Sequence, residues 1–121
     1  MRELPKDVEA EITFLPTEHG GRASAAYSNY RPQFYYDGHD WDSVHFYPDV
    51  AEVRPGETAR VYLGFLSPDE HVGRLQPGKV FLVREGNRVV GYGKITRLLE
   101  LEASAARVHE RRSRQNLDNV R

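Results

Sequence analysis

The chain has 121 residues, no cysteine and a formal net charge of −1, from 17 Lys and Arg against 18 Asp and Glu. That length suits one domain with a real core, and the lack of cysteine excludes disulfide frameworks, thiolate zinc sites and cysteine nucleophiles, which fits a reducing cytoplasm. Near-neutral charge argues against a broad, sequence-blind grip on nucleic acid, and with no apolar run near the roughly 20 residues of a membrane span and no signal-like start, a soluble cytoplasmic chain without membrane contact is expected.

Val8, Ala10, Ile12 and Phe14 alternate with Glu9, Glu11 and Thr13, the period of a strand with one wet face. His19-Gly20-Gly21 breaks it, and an irregular stretch runs to Tyr30. Pro32 to Tyr36 is aromatic and strand-like, and Gly38 ends it. Ser43 to Tyr47 forms a third strand. Arg54-Pro55-Gly56-Glu57 then sets a fixed φ before a residue free to take positive φ, as a tight turn requires.

Ala59, Val61, Leu63 and Phe65 alternate with Arg60 and Tyr62 in a fourth strand, which Ser67-Pro68 stops. Gln76-Pro77-Gly78-Lys79 repeats the turn signal before a fifth strand, Val80 to Arg84. Glu85-Gly86-Asn87-Arg88 connects it as a hairpin to a sixth, Val89 to Leu99. Six short strands with no helix between them predict an all-β fold, an antiparallel sandwich or a closed barrel that hides its edges.

From Leu98 the spacing changes: Leu98, Leu101, Ala105 and Val108 predict a short C-terminal helix. The division expected is a barrel over 1–101 and a basic helix or tail over 102–121; from Arg107 onward Arg107, Arg111, Arg112, Arg114 and Arg121 oppose only Glu110 and Asp118. With only Leu117 and Val120 to bury after Arg111, the far half of this helix is expected to fray or stay disordered.

Several clusters carry candidate chemistry. His39-Asp40-Trp41-Asp42, with His45 nearby, offers metal-type ligands, but alternation splits them between two faces, so a loop whose Asp side chains cap backbone amides is the favoured reading and no metal site is expected. Gly91-Tyr92-Gly93 lacks the strand-loop-helix context of a phosphate cradle and reads as close backbone packing or a bend in a strand. Ser24, Ser28, Ser43 and Ser67 sit in no nucleophile elbow, and His19, His71 and His109 read as surface or loop residues, so no catalytic residues are expected. Tyr27, Tyr30, Phe34, Tyr35 and Tyr36, with Arg22 and Arg31 interleaved, could stack on bases, anchor a protein or fill the core, and alternation lets only half of them point inward.

The segments Gly20-Gly21-Arg22, Asn29-Tyr30-Arg31-Pro32-Gln33-Phe34-Tyr35-Tyr36, Arg54-Pro55-Gly56 and Arg84-Glu85-Gly86-Asn87-Arg88-Val89-Val90-Gly91-Tyr92-Gly93 resemble, in order and spacing, the third, C-terminal domain of bacterial elongation factor Tu. The resemblance runs from about Val8 to Leu99. It implies a six-stranded antiparallel barrel of the kind that packs against a GTPase domain and touches the T-stem backbone of aminoacyl-tRNA. It places Arg22, Gln33, Glu85 and Gly86 at the family's tRNA-contacting positions. Three departures weaken that role: Ala23 replaces a histidine, Asp42 replaces a threonine and would repel a phosphate, and Ser67 stands at a position that can be basic. Asp69 to Lys79 is also longer than its counterpart, which alters one rim. No Gly-x-x-x-x-Gly-Lys-Ser/Thr and no Asn-Lys-x-Asp motif occurs, so neither GTP hydrolysis nor a bound cofactor is expected. A protein partner in translation is the leading expectation, with tRNA or another structured RNA as the alternative.

Overall fold

The computed structural model describes residues 4–120, the side chains of 117–120 excepted. The predicted alternation becomes strand β1 over Val8–Phe14. Further along the chain lie β2 (Ala26–Tyr27), β3 (Gln33–Tyr36), β4 (His39–Phe46), β5 (Glu52–Val53), β6 (Thr58–Phe65), β7 (Val80–Glu85) and β8 (Arg88–Leu98), and helix α1 covers Leu101–Val120. Six of the strands close into one barrel in the order β1-β6-β4-β3-β7-β8, with every pairing antiparallel and β8 returning to β1. Closure leaves none of these strands with an unpaired edge. The short β2 and β5 pair with each other outside the barrel, a ribbon too brief for periodicity to reveal.

Val8, Ala10, Ile12 and Phe14 of β1 are all buried, as are Val61, Leu63 and Phe65 of β6 and Phe81 and Val83 of β7. Burying each large side chain contributes about 1.5–3 kcal/mol. At the centre Phe34 stacks on Phe81 with centroids 4.2 Å apart and meets Phe65 edge-on at 5.0 Å, both favoured aromatic geometries. The two glycines of β8 are required by this packing. A Cβ on Gly93 would lie 2.5 Å from Phe81 Cζ and 2.8 Å from the Glu11 carbonyl, and one on Gly91 would lie 2.9 Å from the Thr13 carbonyl. The reading of this pair as close backbone packing therefore holds.

Both Pro-Gly turns form as expected: Glu57 N donates to Arg54 O and Lys79 N to Gln76 O, each at 3.0 Å, with Gly56 and Gly78 at φ 88° and 95°. Elsewhere the structure corrects the sequence reading. The stretch 39–42 is not a loop, because β4 begins at His39. Asp37 and Gly38, both at positive φ (50° and 80°), form a tight reversal that pairs Tyr36 with His39, and an Asp-Gly pair between two strand runs is the local signal for such a hairpin.

His71 is a loop residue but not a surface one; it is fully buried, because the long segment after Pro68 folds over an end of the barrel and inserts His71 and Leu75 into the core. Its Nδ1 lies 2.7 Å from the Tyr36 hydroxyl.

Leu98 belongs to β8, and the helix runs on through Val120 instead of ending early. Leu101, Ser104 and Ala105 are buried and Val108 half-buried, whereas residues 109–116 are exposed. What sustains the exposed half is helix-favouring composition, an i,i+4 pair of Glu110 with Arg114 at 2.7 Å, and an Arg112–Asp69 contact at 2.6 Å that ties it back to the turn at Pro68–Glu70. The side chains of Leu117 and Val120, and Arg121 altogether, lie outside the described residues.

Candidate functional site

Arg22, whose chain segment follows the Gly20-Gly21 reversal, reaches across to the β7–β8 hairpin. Its Nη1 donates to Glu85 Oε2, Nε donates to Ser24 O and Nη2 to Ala25 O, each of the latter at 3.3 Å, and its guanidinium lies 4.4 Å from the Tyr30 ring centroid. The Tyr30 hydroxyl donates to the same Glu85 Oε2 at 2.5 Å, while Arg88 Nη2 donates to Oε1 at 3.3 Å. Burial and the Glu85 charge push the Tyr30 phenol upward, so it stays a donor. Burial opposes ionisation of Glu85, but the bonds from Tyr30 and Arg22 outweigh it and hold the carboxyl below its ordinary value. With both carboxylate oxygens and most of the guanidinium engaged, this is a satisfied charge-assisted network that fixes the loop to the barrel.

Gln33 sits beside Arg84 in the β3–β7 register and opposite Asp42 in the β3–β4 register, and its Nε2 donates to Asp42 Oδ1 at 2.9 Å. Arg84 pairs with Asp40 at 3.4 Å and lies over the Tyr35 ring at 4.7 Å. Gly86, at φ 61°, forms the tip of the β7–β8 hairpin and is exposed. All four residues assigned by resemblance thus lie on or beside the β3–β7–β8 region. Ala23 is exposed next to Arg22, and Ser67 opens the turn at Pro68. Arg31 is exposed and has no carboxylate within 4 Å among the described residues.

The aromatic group divides as alternation requires: Phe34 and Tyr36 enter the core, Tyr30 is half-buried, and Tyr27 is 58% exposed. On the outer face the pairing sets Tyr35 beside Leu82 and Leu82 beside Tyr92, with Val80 at the same face. Tyr92 is 48% and Val80 60% exposed, so an apolar row crosses three strands next to the Arg22–Glu85 network. Reading the chain strand by strand missed this row, since only the register brings its members together. Asp40 and Asp42 point outward into the pairs just described, and no cluster of three metal-type ligands occurs among the described residues. His45 instead faces inward, buried, with Nδ1 2.9 Å from the Tyr47 hydroxyl.

Residues 3–99 match the family model described as the elongation factor Tu C-terminal domain. The matched span contains the whole barrel and stops short of α1. Among the described residues no helix is long and apolar enough to cross a membrane.

Proposed function

The chain belongs to the family of elongation factor Tu C-terminal domains, and from that premise we propose that it is a non-catalytic, protein-binding module of the cytoplasm with a role linked to translation. The observation that carries this reading is the engagement of Arg22 by Glu85, Tyr30 and two backbone carbonyls. The cation that the resemblance would give to a phosphate already serves the fold. Asp42 on Gln33 and Asp40 on Arg84 place further negative charge on the same side, which disfavours an RNA backbone. The adjoining row of Tyr35, Leu82, Tyr92 and Val80 is the kind of surface that buries against protein.

Its test is affinity capture from cell lysate with and without ribonuclease, alongside a low-salt gel shift with aminoacylated tRNA. The expected result is a protein partner retained after ribonuclease, lost on Tyr92→Asp, with no shifted tRNA. A ribonuclease-sensitive capture together with a shifted tRNA band would defeat it. A second reading, contact with a tRNA-like stem, is favoured by the exposed Arg31 two residues before β3; it predicts a shift that Arg31→Glu abolishes.

A further inference from the structure

A cleft runs between α1 and the barrel. It consists of two contiguous concavities of about 260 and 470 Å³ that share Leu66, Val108 and Arg111 in their walls. The floor is apolar: Leu4, Pro5, Phe65, Leu66 and Pro68 come from the barrel side and Val108 from the helix, with Phe65, the one aromatic among them, only 2% exposed. Leu66 is 49% and Leu4 39% exposed, so these side chains lie open to water. The wall on the helix side is cationic, carrying Arg107, Arg111, Arg112 and Arg114.

Among the described residues the only carboxylate in either wall is Asp7, and both its oxygens are engaged: Phe65 N donates to Oδ2 at 2.9 Å and Ser104 Oγ to Oδ1 at 2.5 Å. Arg112 and Arg114 have the partners Asp69 and Glu110. Arg111, by contrast, has no carboxylate within 4 Å among the described residues and stands over the shared middle of the cleft.

We propose that this cleft is a docking groove for an acidic, amphipathic peptide segment of a protein partner. Charge complementarity selects the occupant: an open aliphatic floor under an uncompensated arginine fits a segment with aliphatic side chains on one face and Asp or Glu on the other. An RNA strand fits it less well, because the side chains open to water are leucines and Phe65 is buried, which leaves no aromatic platform for bases. A second copy presenting its own α1 would bring arginines against arginines. This deepens the protein-binding reading and rests on it, but locates the contact on the helix side, away from the Tyr35–Leu82–Tyr92 row.

The test titrates the isotopically labelled full chain with a peptide of about 15 residues carrying Leu at i, i+3, i+4 and i+7 and Glu elsewhere, and with its Lys counterpart, following amide shifts by NMR. Saturable shifts at Leu66, Val108 and Arg111 with the Glu peptide alone are expected. Arg111→Glu, an exposed change whose folding circular dichroism verifies, should weaken binding at least about tenfold, and Leu66→Asp should abolish it. Absence of shifts, or equal binding of the Lys peptide, would overturn the groove. Shifts confined to Tyr35, Leu82 and Tyr92 would overturn it while leaving the protein-binding function standing. An Arg111-dependent tRNA complex would overturn both, and a concentration-dependent dimer lost in Leu66→Asp would replace the peptide by a second copy.

Discussion

Ser104 on α1 donates to the buried carboxylate of Asp7 at 2.5 Å, and the other oxygen of that carboxylate accepts the backbone N–H of Phe65 at 2.9 Å. One side chain thus joins the segment leading into β1, the end of β6 and the helix. Lys6 and Asp7 also accept from Glu100 and Leu99 backbone amides, at 3.2 and 2.9 Å, so the start of the helix is sewn to the start of the barrel. Removing the hydroxyl in Ser104→Ala leaves a buried carboxylate oxygen without its donor. The expected cost is about 1–3 kcal/mol, read as a lowered urea midpoint, with earlier amide exchange in α1 than in the barrel. A midpoint equal to that of the parent would show that the helix docks without this bond.

Arg22→Ala and Glu85→Gln should each destabilise the fold by about 1–3 kcal/mol, since each strands a partly buried polar partner. Because Tyr30 shares the same carboxylate oxygen, the two losses should not add; a double-mutant cycle should return a coupling of roughly 0.5–3 kcal/mol. Strict additivity would mean that the loop is held by other contacts.

Gly93→Ala should be among the most damaging single-carbon changes in the chain. Its Cβ would meet a backbone carbonyl as well as the Phe81 ring, and a carbonyl in a closed ladder cannot step aside. Overpacking of this kind costs about 1–3 kcal/mol, visible as a drop in Tm. Gly38→Ala is a useful contrast, since nothing lies within 4 Å of its Cβ position and its φ of 80° is the source of strain.

Stability should fall on acidification from near 6.5 towards 4. Burial depresses His45 to about 3, with Arg22 adding to the effect, and depresses His71 to about 4, with Arg74 adding and Asp69 opposing. Between the ordinary histidine value and these folded values the unfolded chain binds the extra protons, so their contribution is complete above about 6.5 and declines below it. The slope approaches about 1.4 kcal/mol per pH unit for each histidine. Asp7 acts in the opposite sense: burial raises its carboxyl, so just above its ordinary value of 3.8 the native state holds the additional proton and the decline is partly offset. His71→Phe should flatten the upper part of the profile measured by urea denaturation from pH 7 to 4; an unchanged slope would mean that His71 titrates normally.

The resemblance singles out Arg22, Gln33, Glu85 and Gly86 but not the network that ties Arg22 to Glu85. Arg22 and Glu85 are 63 positions apart, and no local pattern says that one neutralises the other. Alternation sets Asp40 and Asp42 apart from His39 and Trp41, as β4 shows, but a loop is expected there because the Asp37-Gly38 hairpin signal is easily passed over. Reading His71 as a surface or loop residue misses its burial, because burial of a polar ring depends on what folds over it, here the segment that also delivers Leu75.

The amino-acid order determined what local sterics and solvent preference can determine: six alternating strands, the Pro-Gly turns at Gly56 and Gly78, and a helix after β8. Those depend on side chains two to four residues apart and on φ at single positions. Closure of β1 on β8, the pairing that saturates Arg22, and the cleft under α1 depend on contacts between distant segments, whose geometry exists only after the chain has paid the loop-closure entropy that brings them together.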